Sequence, residues 1–529
     1  MSLLRSTRTM ALGTVASRGT GFLRTAVLVA VLGVKGVALA FNVANTAPNI
    51  VYELLLGGIL TSVVVPLLVR AQKDGEGEAY VQRLLTLTLL VLGAASVLLV
   101  ALAPQIVDLY ANADVSDADR DLAVTFARFF LPQVLFYGLG AVLGAYLNTQ
   151  GRFGAPMWAP VLNNVVVIAT GLVFALMPGA SALTSATITD DQVLVLGLGV
   201  TLGIVAQTVA LLPALRATGL RLRLRFDLRG TGLGAAGRLA RWTLFYVVCN
   251  QLVLLVVVQL ASGAPESRGY PSYTYAFLLW QLPHAVVAVS VITALLPSMS
   301  RAAADERLDD LRRQLDRGLR LTVSILVPAA VAYVVLGRPI ATLVFGHGRT
   351  SVGDARFIGT LLAVFACGLV AFSTYQLQLR AFYALQDTRT PALVNLAINL
   401  TTVVVDVALY VSLPGDYQVV GLAAGQASSY LVGVLVCTSV LARRVPRDPR
   451  GFVLRTTTRC VAAVLLPAGL AAVVVLAADR VAGTGAKGAA IALVAGGGVL
   501  AVGYLQLARF LGVPEVEQLA APVLSRLRR

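Results

Sequence analysis

Apolar stretches of about twenty residues recur along the whole chain, and each is closed by a short polar loop. A run of that length, rising 1.5 Å per residue as an α-helix, crosses a hydrocarbon core of ~30 Å. Fourteen such runs predict fourteen spans, at residues 10–33, 37–69, 84–107, 122–148, 157–178, 193–215, 242–262, 272–299, 318–337, 357–383, 391–413, 418–442, 456–478 and 488–511. The expected fold class is therefore an all-α polytopic membrane protein. The first run reads as a span, because it is long and no small-residue cleavage site followed by a soluble domain comes after it.

Composition agrees with a lipid solvent. Hydrophobic residues make up 57% of the 529-residue chain and charged residues 13%, against about 25% charged in soluble domains. Mean hydropathy is +0.82. The net charge of +16 raises the question of nucleic acid, and its placement answers it. With the spans alternating across the bilayer, 31 of the 42 Lys and Arg fall on the side of both termini, 8 on the other, and 3 (Arg18, Arg24, Arg128) within spans. The largest clusters run over Arg216–Arg241, Arg301–Arg320 and Arg443–Arg459, whereas the opposite loops carry Asp114, Asp117, Asp119, Asp190 and Asp191. Such a bias sets orientation, so both termini are expected in the cytoplasm, with anionic lipid headgroups as secondary contacts and no nucleic-acid partner. Cys249, Cys367, Cys437 and Cys460 lie in or beside apolar spans without CxxC spacing, and read as small buried hydrophobes.

A duplication runs through the chain. "VPLLVRA" at Pro66 matches "LPSMSRA" at Pro297, "RLLTLTLL" at Arg83 matches "RGLRLTVS" at Arg317, Pro104 matches Pro339, and "NTQGRFGAP" ending at Pro156 matches "ALQDTRTP" ending at Pro391. The offsets are 231, 234, 235 and 235 residues, in one order. Each copy holds six spans, an even number, so the expectation is two parallel six-helix repeats related by an axis along the membrane normal, plus two C-terminal helices. The expected organisation is an N-lobe at 1–216, a basic linker at 217–241, a C-lobe at 242–442, two further spans within 443–511 and a tail at 512–529. Two matched bundles suit alternating access around a central site.

Polar groups within the spans indicate what such a site would hold. Arg18 and Arg24 lie within about 5 Å of the middle of span 1 along its axis, and an arginine at a helix centre costs ~2.5–3.5 kcal/mol on insertion scales. Something must offset that cost, and span 1 has no carboxylate. In span 2, Asn42, Asn45, Asn49 and Glu53 recur at spacings of 3, 4 and 4, a single helical stripe interrupted by Pro48. Such a stripe packs against another span or lines a hydrated cavity, and Glu53 is a candidate counter-ion for one arginine. Asn163 and Asn164, Asn250 and Gln251, and Gln281 with His284 add polar positions that read individually as interhelical glue, with Asn250 and Gln281 kept as binding candidates. Asp406, near the middle of span 11, is the candidate for ion coupling. Arginines with amides suit an anionic, hydrogen-bonding ligand such as a phosphate-bearing lipid or a nucleotide. The chain has no P-loop, no HExxH, and no GxSxG with partners, and its two histidines, His284 and His347, are far apart. No catalytic residue, metal ligand or cofactor is therefore expected, and coupling falls to a proton, sodium or the membrane potential.

"SRGTGFLR" (17–24), "AFNVANTAPN" (40–49), "VVVPLL" (63–68), "LNTQGRFGAPMWAPVLNN" (147–164), "LLPSMSR" (295–301) and "FYALQDTRTP" (382–391) resemble the MurJ (MviN) lipid II flippases. The resemblance covers about residues 10 to 440, and the arginine-rich composition suits an actinobacterial branch. It implies the fold of the multidrug, oligosaccharidyl-lipid and polysaccharide exporter superfamily, with the last two helices forming a groove for a lipid tail. It also implies movement of undecaprenyl-pyrophosphate-linked peptidoglycan precursor to the outer leaflet of the plasma membrane. Cell-wall synthesis or division proteins are the expected protein partners. Arg18 and Arg24 coincide with the family's span 1 arginines, which are proposed to engage pyrophosphate. The sequence departs from the family at Thr25 and Leu39, where acids are usual, and at Phe277, Leu278 and Gln281, which replace charged residues of span 8. Two other readings stay open: a flippase for another polyprenyl-linked oligosaccharide, and a non-transporting membrane scaffold.

Overall fold

The computed structural model describes residues 3–53, 67–68, 71–72, 75–180, 183–227, 233–265, 268–446 and 451–518. Among them the chain is helical and has no strand. Among the described residues twelve helices are long and apolar enough to cross a bilayer, and Val352–Ala366 with Leu369–Ala384, bent by 49°, makes a thirteenth if it counts as one span. Much of the predicted second span, with Pro66 and Arg70 of the duplicated motif, lies outside the described residues, as does the tail from 519.

The helices group into two compact units, Met1–Pro271 and Ser272–Arg529. In the first are α1 (Leu3–Leu32), α2 (Val37–Glu53), α3 (Gly77–Ala101), α4 (Ala103–Tyr110), α5 (Asp117–Phe130), α6 (Gln133–Thr149), α7 (Gly154–Ala175), α8 (Asp190–Val209), α9 (Leu212–Arg216) and α10 (Leu233–Ser262). Prolines set the breaks. Predicted span 3 becomes α3 and α4, parted at Leu102 just before Pro104, and predicted span 4 becomes α5 and α6, parted at Leu131–Pro132. A proline lacks the N–H that a helix interior needs and suits a first turn. Ser116 caps α5 through the Asp119 amide at 3.1 Å. Thr189 and Gln192 form a reciprocal capping box at α8, two orphan amides satisfied at once. The α2–α5 contact is aromatic, with the Phe41 ring 5.8 Å from Phe126 and 5.2 Å from Phe130.

The second unit continues from α11 (Gly269–Pro283), which spans the boundary, through a π-helical turn (His284–Ala288) into α12 (Val289–Ala304), then α13 (Leu308–Phe345), α14 (Val352–Ala366), α15 (Leu369–Ala384), α16 (Arg389–Ser412), α17 (Tyr417–Leu441), α18 (Phe452–Ala482), α19 (Ala486–Ile491), a second π-turn (Ala492–Gly496) and α20 (Gly497–Phe510). Predicted span 9 began at 318, yet α13 starts ten residues earlier and runs for 38 residues, or about 57 Å. Its first turns are held by ion pairs such as Arg312–Asp316 at 2.9 Å, so a segment that reads as loop by hydropathy is helical. Trp280 is fully buried among Phe365, Phe372 and Tyr430. The last helices pack on α13: Tyr504 donates to the Ser324 carbonyl at 2.6 Å, and Arg320 lies 3.3 Å from buried Glu515.

Candidate functional site

The two arginines of α1 sit differently. Arg18 is exposed, whereas Arg24 is half-buried and its Nε has no hydrogen-bond partner. Among the described residues no carboxylate pairs with either of them. Arg24 is instead close enough to Tyr137 of α6 to interact electrostatically. The Tyr137 ring lies 4.6 Å from Tyr52 of α2, and its hydroxyl faces Gln133 Oε1 at 3.5 Å. Gln133 in turn donates to Thr201 of α8 at 2.9 Å. A guanidinium thus stands beside the Tyr137 phenol, which the Tyr52 ring backs, with its own Nε left without a partner.

On α2 the predicted stripe lies on the less buried face. Val37–Phe41, Val43, Ala44, Thr46 and Pro48 are buried, Asn42 and Asn45 are half-buried, and Asn49 and Glu53 are exposed. Asn42 donates to the Ala38 carbonyl of its own helix at 2.7 Å. Among the described residues Glu53 balances no arginine: its Oε2 accepts from Gln251 Nε2 of α10 at 3.2 Å, next to half-buried Asn250. Thr46 exchanges a hydrogen bond with Tyr270 at 2.9 Å. Arg24 and the α2 stripe are thereby joined to α6 and α10 through Tyr52, Tyr137 and Gln251. Sequence reasoning missed Tyr52 and Tyr137; an aromatic inside an apolar run carries no polar signal, and only the neighbouring Glu53 marked Tyr52 out.

The amide of Asn164 acts as glue. Its Nδ2 donates to the Ser17 carbonyl at 3.1 Å and to Thr20 Oγ1 at 3.0 Å, tying α7 to α1 beside Arg18. In the second unit Gln281 is exposed on α11, and His284 meets Ser373 at 2.9 Å in the π-turn. Asp406 is 0% exposed on α16, and neither carboxylate oxygen has a hydrogen-bond partner. It ends a buried stripe of Asn395, Asn399 and Thr402 at spacings of 4, 3 and 4 that sequence reading overlooked.

The loop motifs build clamps. Gly151 in "NTQGRFGAP" takes φ +70° in a tight turn, and Arg152 donates to the Ala217 carbonyl at 2.6 Å. In "FYALQDTRTP" Asp387 accepts from the Thr390 amide at 2.9 Å and its hydroxyl at 2.5 Å, and pairs with Arg444 at the end of α17. Burial pushes the Asp387 carboxyl up, but the Thr390 and Arg444 bonds outweigh it and hold it below the usual carboxylate range.

The helical arrangement defines a class. A solved structure titled as lipid II flippase MurJ in an inward closed conformation covers 95% of this chain and 99% of its own with a TM-score of 0.76 at 20% identity. An inward-facing multidrug MATE transporter of the MOP superfamily follows at 0.67 and 16%, covering 80% of this chain and 95% of its own. The chain therefore shares the fold of these two solved structures. The family model described as "Lipid II flippase MurJ" matches residues 28–496, and the chain belongs to that family. It is similar to the lipid II flippase MurJ of Burkholderia cenocepacia, 29% identical over 486 residues (89% of this chain, 90% of the relative). The probable lipid II flippase MurJ of Rhizobium meliloti is 30% identical over 409 residues, 76% of this chain and 75% of the relative.

Proposed function

We propose that this chain is a lipid II flippase, moving undecaprenyl-pyrophosphate-linked peptidoglycan precursor from the inner to the outer leaflet by alternating access. Membership in the family supports the activity. The observation that carries the site assignment is the Arg24 guanidinium, half-buried beside Tyr137 and without a carboxylate partner among the described residues. Guanidinium matches phosphate bidentately and stays charged, so a pyrophosphate supplies a counter-charge that no described carboxylate provides. Arg18, one and two-thirds turns away and exposed, offers a second contact, and Asn45 and Asn49 present amides to the sugar–peptide headgroup.

Further parts belong to the same reading. Fourteen spans form two parallel six-helix repeats with two added helices, both termini are cytoplasmic, and the protein resides in the plasma membrane, with cell-wall synthesis or division proteins as its partners. Asp406 is the ion-coupling residue: a buried carboxyl with no partner takes up a proton or a sodium ion more readily than it stays charged alone. No catalytic group or cofactor is involved.

The test is rescue of cells depleted of their lipid II flippase. The wild-type chain is expected to restore growth, and Arg24→Ala, made at equal membrane levels, to fail. A wild type that is well expressed yet does not rescue would overturn the lipid II assignment. Rescue by Arg18→Ala/Arg24→Ala would overturn the site.

A further inference from the structure

Beyond the transport site, residues 220–227 read Leu-Arg-Leu-Arg-Leu-Arg-Phe-Asp, an alternation with period two. The segment has no helical turn and lies along the first turns of α3. Four contacts pin it there. The Arg221 amide donates to Glu78 Oε1 at 3.2 Å, Gln82 Nε2 donates to the Arg221 carbonyl at 2.7 Å, the Arg225 amide donates to Thr86 Oγ1 at 2.8 Å, and Arg83 lies 3.6 Å from Asp227. Glu78, Gln82 and Thr86 are four residues apart, so one face of α3 serves as the edge on which an extended ribbon docks.

An extended ribbon sends alternate side chains to opposite faces. Arg221, Arg223 and Arg225 therefore share one face, and Leu222, Leu224 and Phe226 the other. All six are exposed, and among the described residues no carboxylate pairs with any of the three guanidiniums. Directly beside the ribbon lies a cavity of about 420 Å³, lined by Leu85 and Leu89 of α3, Phe136 and Leu143 of α6, and Leu222 and Leu224 of the ribbon itself. Arg223 stands at its wall. Leu85 and Leu89 are 8 and 12 residues into α3, so the cavity reaches about 12–18 Å along the helix.

We infer that this is a binding site for one anionic glycerophospholipid, with an acyl chain in the cavity and the headgroup phosphate on the face of the Arg221, Arg223 and Arg225 guanidiniums. Charge and polarity match group by group. No described carboxylate neutralises the arginines, the cavity wall is almost wholly aliphatic and aromatic, and the two meet at Arg223. A net-negative headgroup is the required chemistry, because a zwitterion brings its own cation to a face already carrying three. The bonds to α3 hold the ribbon in place before the lipid arrives, so little ordering cost falls on binding.

The test is native mass spectrometry of the purified full-length chain titrated with palmitoyl-oleoyl phosphatidylglycerol or with the corresponding phosphatidylcholine. One equivalent of phosphatidylglycerol is expected to be retained in preference to phosphatidylcholine. Each arginine contributes about fivefold, so Arg221→Gln/Arg223→Gln/Arg225→Gln weakens that equivalent roughly a hundredfold, and Arg223→Gln alone about fivefold. Leu89→Trp, which fills the cavity, lowers retention while keeping the headgroup preference of what remains. Arg24→Ala leaves the equivalent in place, which separates it from the transport site. Equal retention of both lipids by the wild type, or unchanged retention by the triple variant with a wild-type melting curve, overturns the proposal.

Discussion

Arg18 and Arg24 are six residues apart in one helix, and their surroundings differ because the neighbours do. Arg18 lies beside the Asn164 clamp and is exposed, while Arg24 is half-buried against Tyr137 with Nε unsatisfied. A cation in that position is a cost to the empty protein, of order 2–3 kcal/mol on insertion scales. Arg24→Leu is therefore expected to abolish transport while leaving the melting temperature in detergent unchanged or raised by a few degrees. A fall of several degrees would show that Arg24 holds the fold together. At the same scale Glu53 illustrates the limit of a helical wheel: its spacing placed it on the right face, and the partner there is Gln251, an amide of α10.

Elements in this chain are defined by how closely they approach as much as by their length. α16 and α17 meet where Gly425 faces Asp406, and a Cβ at Gly425 would collide with Asp406 Oδ1. Gly425→Ala is expected to destabilise the protein by about 1–3 kcal/mol through overpacking, read as a lower melting temperature. Asp406→Ala in the same chain should recover part of that loss, because it removes the clashing carboxylate and leaves only the tight contact with the residue 406 backbone nitrogen at 3.2 Å. A Gly425→Ala chain as stable as wild type would mean that the two helices do not approach so closely. The helix boundaries follow the same logic. Hydropathy located most of the spans, but it missed the breaks before Pro104 and after Leu131 and the charged start of α13, since mean apolarity does not register a missing N–H or an (i, i+4) ion pair.

For the whole molecule, the distribution of arginine predicts orientation, because translocation of positively charged short loops is disfavoured. Single cysteines introduced at Arg313 and at Thr184, in a background with the native cysteines replaced, are expected to react oppositely with an impermeant maleimide on intact cells. Thr184 is labelled from outside, and Arg313 only after lysis; the reverse pattern would invert the topology. Family membership was equally legible, since the loop motifs that carry the resemblance build turns, and turns constrain residue type strongly: Gly151 needs a positive φ, and Asp387 needs Thr390 three residues on.

What the sequence determined by itself is whatever depends on neighbours along one helix: an all-helical membrane chain, the face on which Asn42, Asn45, Asn49 and Glu53 fall, and the candidate arginines. These follow from transfer free energies and from a period of 3.6, both local properties. Only the tertiary structure decided which polar groups meet. Tyr137 beside Arg24, Gln251 on Glu53, Asn164 on Ser17 and the 220–227 ribbon on α3 join residues far apart in the chain. The hydrocarbon core of a bilayer offers no hydrogen bonds, so the partner of each polar group inside it is set by how the elements pack against one another.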